Sequence, residues 1–239
     1  MKSLDFLSEY REGEREVNIK QATWYIVAAS SLAAAGAGSD VPDLYRLAVA
    51  GLSVEDEKIV QRRIKEAILK TSILHGFPKA LQALLPLFSI IKDDAIDHYA
   101  PRTEALLTGS ERQTSEERGR HYFDTTWTPA AAESTRLHLQ KYQQDLYLLT
   151  VKMGYDHWVS EDAILSNVET QMCNVGALVC SRSPVQATWH TRGILRHGGT
   201  VDQARMAQGI ALNIANNYGC KTDDITVVDD IDFNDTTFP

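Results

Sequence analysis

The run Ile73-Leu74-His75-Gly76-Phe77-Pro78-Lys79-Ala80-Leu81-Gln82-Ala83-Leu84 constrains the fold of this chain more than any other. It closes one helix that opens near Val54, turns at Gly-Phe-Pro, and restarts as a second apolar helix. Proline is costly inside a helix but favoured in its first turn, so Pro78 predicts a new start and excludes one long rod. Ser53-Val54-Glu55-Asp56 opens the first of these helices with a capping serine and an acidic turn that suits the helix dipole. Ile59, Ile64, Ile68 and Ile73 then recur at spacings of four to five residues, roughly one helical face.

The same punctuation runs along the rest of the chain. Residues 23–35 read as an Ala-rich helix stopped by Gly36-Ala37-Gly38. Ser39-Asp40-Val41-Pro42-Asp43 caps a short helix over 44–50, which Gly51 ends. A helical pattern over 130–153 offers Leu137, Tyr142, Leu146 and Leu149 as core residues. Later helices are expected over 168–179, 185–196 and 204–218, with breaks at Ser181-Arg182-Ser183-Pro184 and Gly198-Gly199. Helices 23–35, 44–50 and 54–74 therefore match 168–179, 185–196 and 204–218 in pattern, an internal repeat. The expected division is a first helical repeat with an N-terminal arm (1–92), a polar linker or arm (93–128), a second repeat (129–220) and an acidic tail (221–239), extended or docked. The expected fold class is all-α.

Composition bounds the partners. The formal net charge is −8 and the 24 Lys and Arg residues are dispersed, which argues against nucleic acid. No apolar run reaches the roughly 18 residues that span a bilayer, so no membrane partner is expected. Lys2, Asp5, Glu9, Arg11 and Glu12 open the chain without an apolar core, unlike a secretory signal. These features make a soluble cytoplasmic protein the expectation. Cys173, Cys180 and Cys220 are odd in number and lack a metal spacing. On one helix the first two would stand about 10.5 Å apart along the axis, beyond the roughly 7 Å that a disulfide spans, so they read as buried thiols.

Three stretches carry a family resemblance. Gly76-Phe77-Pro78-Lys79-Ala80-Leu81-Gln82-Ala83-Leu84 follows Glu66, which stands ten residues before the glycine. Glu117-Arg118-Gly119 precedes Tyr122 and Phe123, and Trp189-His190-Thr191-Arg192-Gly193 leads to Leu195 and Gly198. Together these resemble the carboxymuconolactone decarboxylase family, over roughly residues 23–88 and 117–218. The resemblance implies an alkylhydroperoxidase D-like helical fold with two tandem pseudo-repeats, assembled as a homo-oligomer, trimer or dimer. The chain departs from the family pattern at Lys70, where a His or Gln is usual, and at His75, which is no family position. Ser183 and Gln186 stand where peroxidase members carry their cysteine pair, so no thiolate is on hand to reduce a peroxide.

Decarboxylase-like chemistry needs an acid or base near neutral pKa, a holder for the substrate carboxylate, and a dry pocket. His190 is the acid/base candidate and Glu66 the proton relay, both placed by the resemblance and by residue type. Arg192 suits bidentate carboxylate binding, with Lys70, His75 and Trp189 as further substrate-binding candidates. Each has a plainer reading. Glu66 and Lys70 form an ordinary i,i+4 pair, His190 and Trp189 suit a core, and Arg192 suits a surface ion pair. His75 lies nine residues beyond Glu66 and so faces away from it on a straight helix. His190 and His197 are two turns apart, poor spacing for a metal. The expectation is a cofactor-free, metal-free lyase or isomerase acting on a small anionic unsaturated acid or lactone. The alternative is a non-catalytic oligomeric scaffold or ligand-binding protein. Convergence of Glu66, His190 and Arg192 on one cavity separates the two.

Overall fold

The structure, a computed structural model, describes residues 4–15, 17–109 and 111–237, without the side chains of 111–113. Every regular element among them is helical. Besides four single turns of 3-10 helix, in chain order these are α1 (Ser8–Gly13), α2 (Trp24–Ala34), α3 (Val41–Val49), α4 (Val54–His75), α5 (Phe77–Phe88), α6 (Pro101–Thr108), α7 (Glu111–Trp127), α8 (Pro129–Tyr142) and α9 (Gln144–Tyr147). A π-helix (Leu148–Val159) follows, then α10 (Asn167–Cys180), α11 (Pro184–Arg196) and α12 (Val201–Tyr218). No helix of the described residues is long and apolar enough to cross a membrane.

α2 has no polar face, and every one of its residues is buried. A helix apolar all round has to be enclosed on all sides. α10, α4 and α12 enclose it, and α10 in turn packs on α11, α12 and α4. The two helices cross closely because small residues meet there: a Cβ on Gly176 would lie 2.6 Å from Ser31 Oγ and 3.2 Å from the Val27 carbonyl. α4 and α12 each touch both central helices, so α2, α4, α10 and α12 close around one shared core. Capping fixes the starts of these helices. Glu14 accepts from the backbone N–H of Thr23 and of Trp24, both at 2.8 Å, and so satisfies orphan donors at the start of α2. Ser166 with Glu169, and Thr200 with Gln203, form capping boxes on α10 and α12.

Two expectations change. Segment 93–128 is not a bare linker, because α7 buries Tyr122, Phe123 and Thr126 against the π-helix and α11. Tyr122, Phe123, Ala132, Val151, Tyr155 and Val159 form a second, smaller core. The proposed core residues Leu137, Tyr142, Leu146 and Leu149 are instead exposed. The helix breaks at Gln143, and the wider i→i+5 turn of the π-helix presents Val151, Tyr155 and Val159 inward instead. The acidic tail is docked: Ile225, Val228 and Ile231 are buried, and Gln208 of α12 bonds the Thr226 carbonyl at 2.8 Å and the Val228 N–H at 2.9 Å.

Candidate functional site

The buried side of α4 carries charge in its middle turns, at Arg63, Glu66 and Lys70. The Glu66 carboxylate forms a bidentate pair with Arg102 at the start of α6, at 2.6 and 3.0 Å. Arg102 is itself fixed, donating to the carbonyls of His157 (3.1 Å) and Trp158 (2.7 Å) with its guanidinium over the Trp158 ring. One turn deeper, Lys70 donates to Thr170 Oγ1 at 2.7 Å and is wholly enclosed. Burial lowers its pKa to about 8, against the opposing field of Glu66.

Outside this pair lies a cavity of about 310 Å³. Arg62, Lys65, Glu66 and Arg102 form its polar end, and Leu69, Leu84, Phe88, Trp158 and Ile164 its apolar wall. Residues 99–103 strap across it. Arg62 is neutralised by a bidentate pair with Asp97 and stacks on Tyr99. Lys65 donates to Gln61 Oε1 at 2.9 Å and to the Asp97 carbonyl at 2.8 Å, with no carboxylate partner among the described residues. Among the described residues Lys65 is thus the cation of the polar end without a carboxylate in direct contact, although the field of Asp97 reaches it and Glu161 lies 3.9 Å from Arg102.

His190 stands elsewhere. Its Nδ1 lies 2.6 Å from Gln171 Oε1, while Gln171 Nε2 donates to Thr126 Oγ1 at 2.8 Å. The Asn174 amide nitrogen also lies 3.4 Å from Nδ1, and the much shorter Gln171 contact favours the tautomer with the proton on Nδ1. Burial pulls the His190 pKa down to about 4, so the ring is neutral at pH 7. Trp189, next to it, stacks on Trp127 with ring centroids 5.0 Å apart. Arg192 and Trp189 line a different cavity, about 370 Å³, where Arg192 is paired with Asp235 of the tail. His75 sits at the end of α4, in contact with Thr71 Oγ1 (3.3 Å) and the Gly76 carbonyl (3.2 Å), and borders neither cavity. Burial lowers its pKa to about 4.

Glu66 and Lys70 thus form one cluster and Arg192 and Trp189 another, with His190 lining neither cavity. The expected acid–base residue His190 and the expected carboxylate holder Arg192 therefore do not face each other across either cavity. Burial also drives the Cys173 thiol up to about 12, far from thiolate chemistry at neutral pH. Sequence reasoning missed Arg102, Lys65, Trp158 and Asp235. Only Lys65 had a readable signal, since Arg62, Lys65, Glu66 and Leu69 recur at helical spacing on one face of α4.

No family model matches the chain, and no solved structure matches it. Two curated proteins do. Peroxisomal protein 2 of Schizosaccharomyces pombe is 28% identical over 157 residues, 66% of this chain and 70% of that protein. Peroxisomal protein 2 of Saccharomyces cerevisiae is 24% identical over 180 residues, 66% of this chain. The match spans 62% of that second protein, less than two thirds of its length. These relatives overturn two expectations. Neither is named as a decarboxylase or lyase, and both are named for the peroxisome, so the decarboxylase-like lyase reading and the cytoplasmic placement are withdrawn. The scattered positions of Glu66, His190 and Arg192 give the physical reason against the lyase.

Proposed function

We propose that this chain is a peroxisomal protein that binds a small amphipathic carboxylate in the Glu66–Arg102 cavity, on an alkylhydroperoxidase D-like helical scaffold. The names of the two relatives support the compartment. The contacts that α4 and α12 each make with both α2 and α10 support the scaffold. One observation carries the ligand: Lys65, without a carboxylate partner, borders a cavity whose other end is Leu69, Leu84, Phe88 and Trp158. An apolar body covers that wall while its carboxylate takes the lysine, and about 310 Å³ suits a molecule at the small end of ligand sites. Glu66, already satisfied by Arg102, fixes the floor of the cavity.

Calorimetric titration with medium-chain and aromatic carboxylates, beside the matching alcohols, tests the ligand class. The acids should bind and the alcohols should not. Lys65→Met should weaken the acids about ten- to a hundredfold, since a hydrogen bond to a charged group contributes about 1.5–3 kcal/mol. Equal binding of acid and alcohol, or no effect of Lys65→Met, sinks the assignment. Fluorescent fusions at either end of the chain should coincide with a peroxisomal marker, and a diffuse signal from both would refute the compartment.

A further inference from the structure

Two arginines one turn apart on α11 both bond Asp235 of the tail, Arg192 at its carboxylate and Arg196 at its carbonyl. Arg192 and Arg196 place their guanidinium groups 5.5 and 5.6 Å from the centroid of the Trp189 ring, so two fixed positive charges crowd one corner. Burial, and then the field of Arg192, lowers the pKa of Arg196, a direct sign of that crowding. The charge is met by the tail. Arg192 Nη2 pairs with the Asp235 carboxylate at 2.7 Å. Arg192 Nε donates to the Asp232 carbonyl at 2.8 Å and Arg196 Nη2 to the Asp235 carbonyl at 2.7 Å. Among the described ion pairs, Asp235 supplies the sole carboxylate to either arginine.

Beside this corner runs the groove of about 370 Å³, with Val185, Thr188 and Trp189 on the α11 side and Asp224, Thr226 and Thr237 on the tail side, the Asp224 carboxylate being paired with Arg182 at 3.3 Å. The tail is anchored in the core up to Ile231 and Phe233, but residues 234–237 bury no side chain fully. Lifting that last stretch breaks polar contacts and leaves the core packed. A foreign carboxylate would then meet the Arg192 guanidinium in place of the Asp235 carboxylate, with Arg196 one turn behind and tied to the Thr126 carbonyl, and its carbon body would lie along Val185 and Trp189.

We propose that Arg192, with the charge of Arg196 behind it, forms a second binding site, for a small organic carboxylate, and that Asp235 is its built-in competitor. The tethered carboxylate acts at an effective concentration of the order of millimolar, so a free ligand enters only when abundant or when the groove adds contacts. The site shares no residue with the Glu66–Arg102 cavity and stands or falls independently of it.

Titration of the full chain with benzoate, followed by calorimetry, decides the matter. Asp235→Asn keeps the size of the side chain but removes the competing charge. It should tighten benzoate binding about tenfold or more, the gain expected when a site open in a tenth or fewer of the molecules is freed. Adding Arg192→Met to Asp235→Asn should abolish that gain, whereas adding Lys65→Met should leave it, which separates this site from the other cavity. Thermal melts of each variant confirm folding, and Arg192→Gln replaces Arg192→Met if the latter fails to fold. Unchanged affinity in Asp235→Asn, or a gain that survives loss of Arg192, overturns the proposal.

Discussion

His190 shows what a single side chain can and cannot reveal before its surroundings are known. Its residue type and neighbours mark it as an acid/base, but its chemistry is set by burial beside Gln171, which holds its pKa near 4. The unfolded chain takes up this proton near pH 6.5, the native state only near pH 4, so the unfolded state binds more protons in between. Stability is therefore complete above about pH 6.5 and falls as pH drops towards 4, with the half-buried His75 and His197 acting in the same direction. Wild type should lose roughly 2 kcal/mol more than His190→Gln between pH 7 and pH 5, read from urea midpoints. Equal losses would show that the ring is not held neutral by its site. Glu66 was likewise legible as a residue of interest and illegible in role. Lys70, its i,i+4 neighbour, turns to Thr170, and its ion-pair partner Arg102 comes from 36 residues away in a polar stretch without periodicity.

Elements were legible wherever local rules decide them. Caps and Gly/Pro stops place α2 to α5 and α10 to α12 within a few residues of expectation, because capping and helix breaking depend on nearest neighbours. α7 was hidden for the opposite reason. Its buried stripe is Ser115, Gly119, Tyr122, Phe123 and Thr126, small and aromatic groups set among exposed charges, so the average composition reads as a linker. Gly119 is the informative member of that stripe. A Cβ there would overlap Asp156 of the π-helix, both its backbone and its carboxylate. Asp156 is buried and tied to Lys152 at 2.8 Å, so it cannot easily yield. Gly119→Ala should therefore cost about 1–3 kcal/mol despite the better helix propensity of alanine. Hydrogen exchange should locate the loss in α7 and the π-helix, with α2 and α10 still protected. A neutral or stabilising Gly119→Ala would mean that the two elements are not packed as described.

At the scale of the whole molecule, sequence suggested association through the apolar helices now identified as α2 and α10. The fold closes those helices on each other, and they offer no surface. Exposed apolar area appears instead on α5, where Phe77 (70% exposed), Leu81 (53%), Leu85 (58%) and Phe88 (48%) share one helical face. Spacings of four, four and three residues make that a continuous stripe, which a monomer in water rarely leaves bare. A stripe of this kind is self-complementary across a twofold axis, one α5 against another, and a threefold ring is the other closed solution. Light scattering at micromolar concentration should give two or three times the 26.6 kDa chain mass. Leu81→Glu with Leu85→Glu should return a folded chain of 26.6 kDa, whereas a wild-type mass of one chain would remove this face as an interface. Leu84 and Phe88 belong to both the α5 helix and the wall of the Glu66–Arg102 cavity, so a neighbour seated on α5 would narrow the mouth of that cavity. Carboxylate affinity should accordingly be weaker in the Leu81→Glu, Leu85→Glu chain, although neither substituted residue lines the cavity.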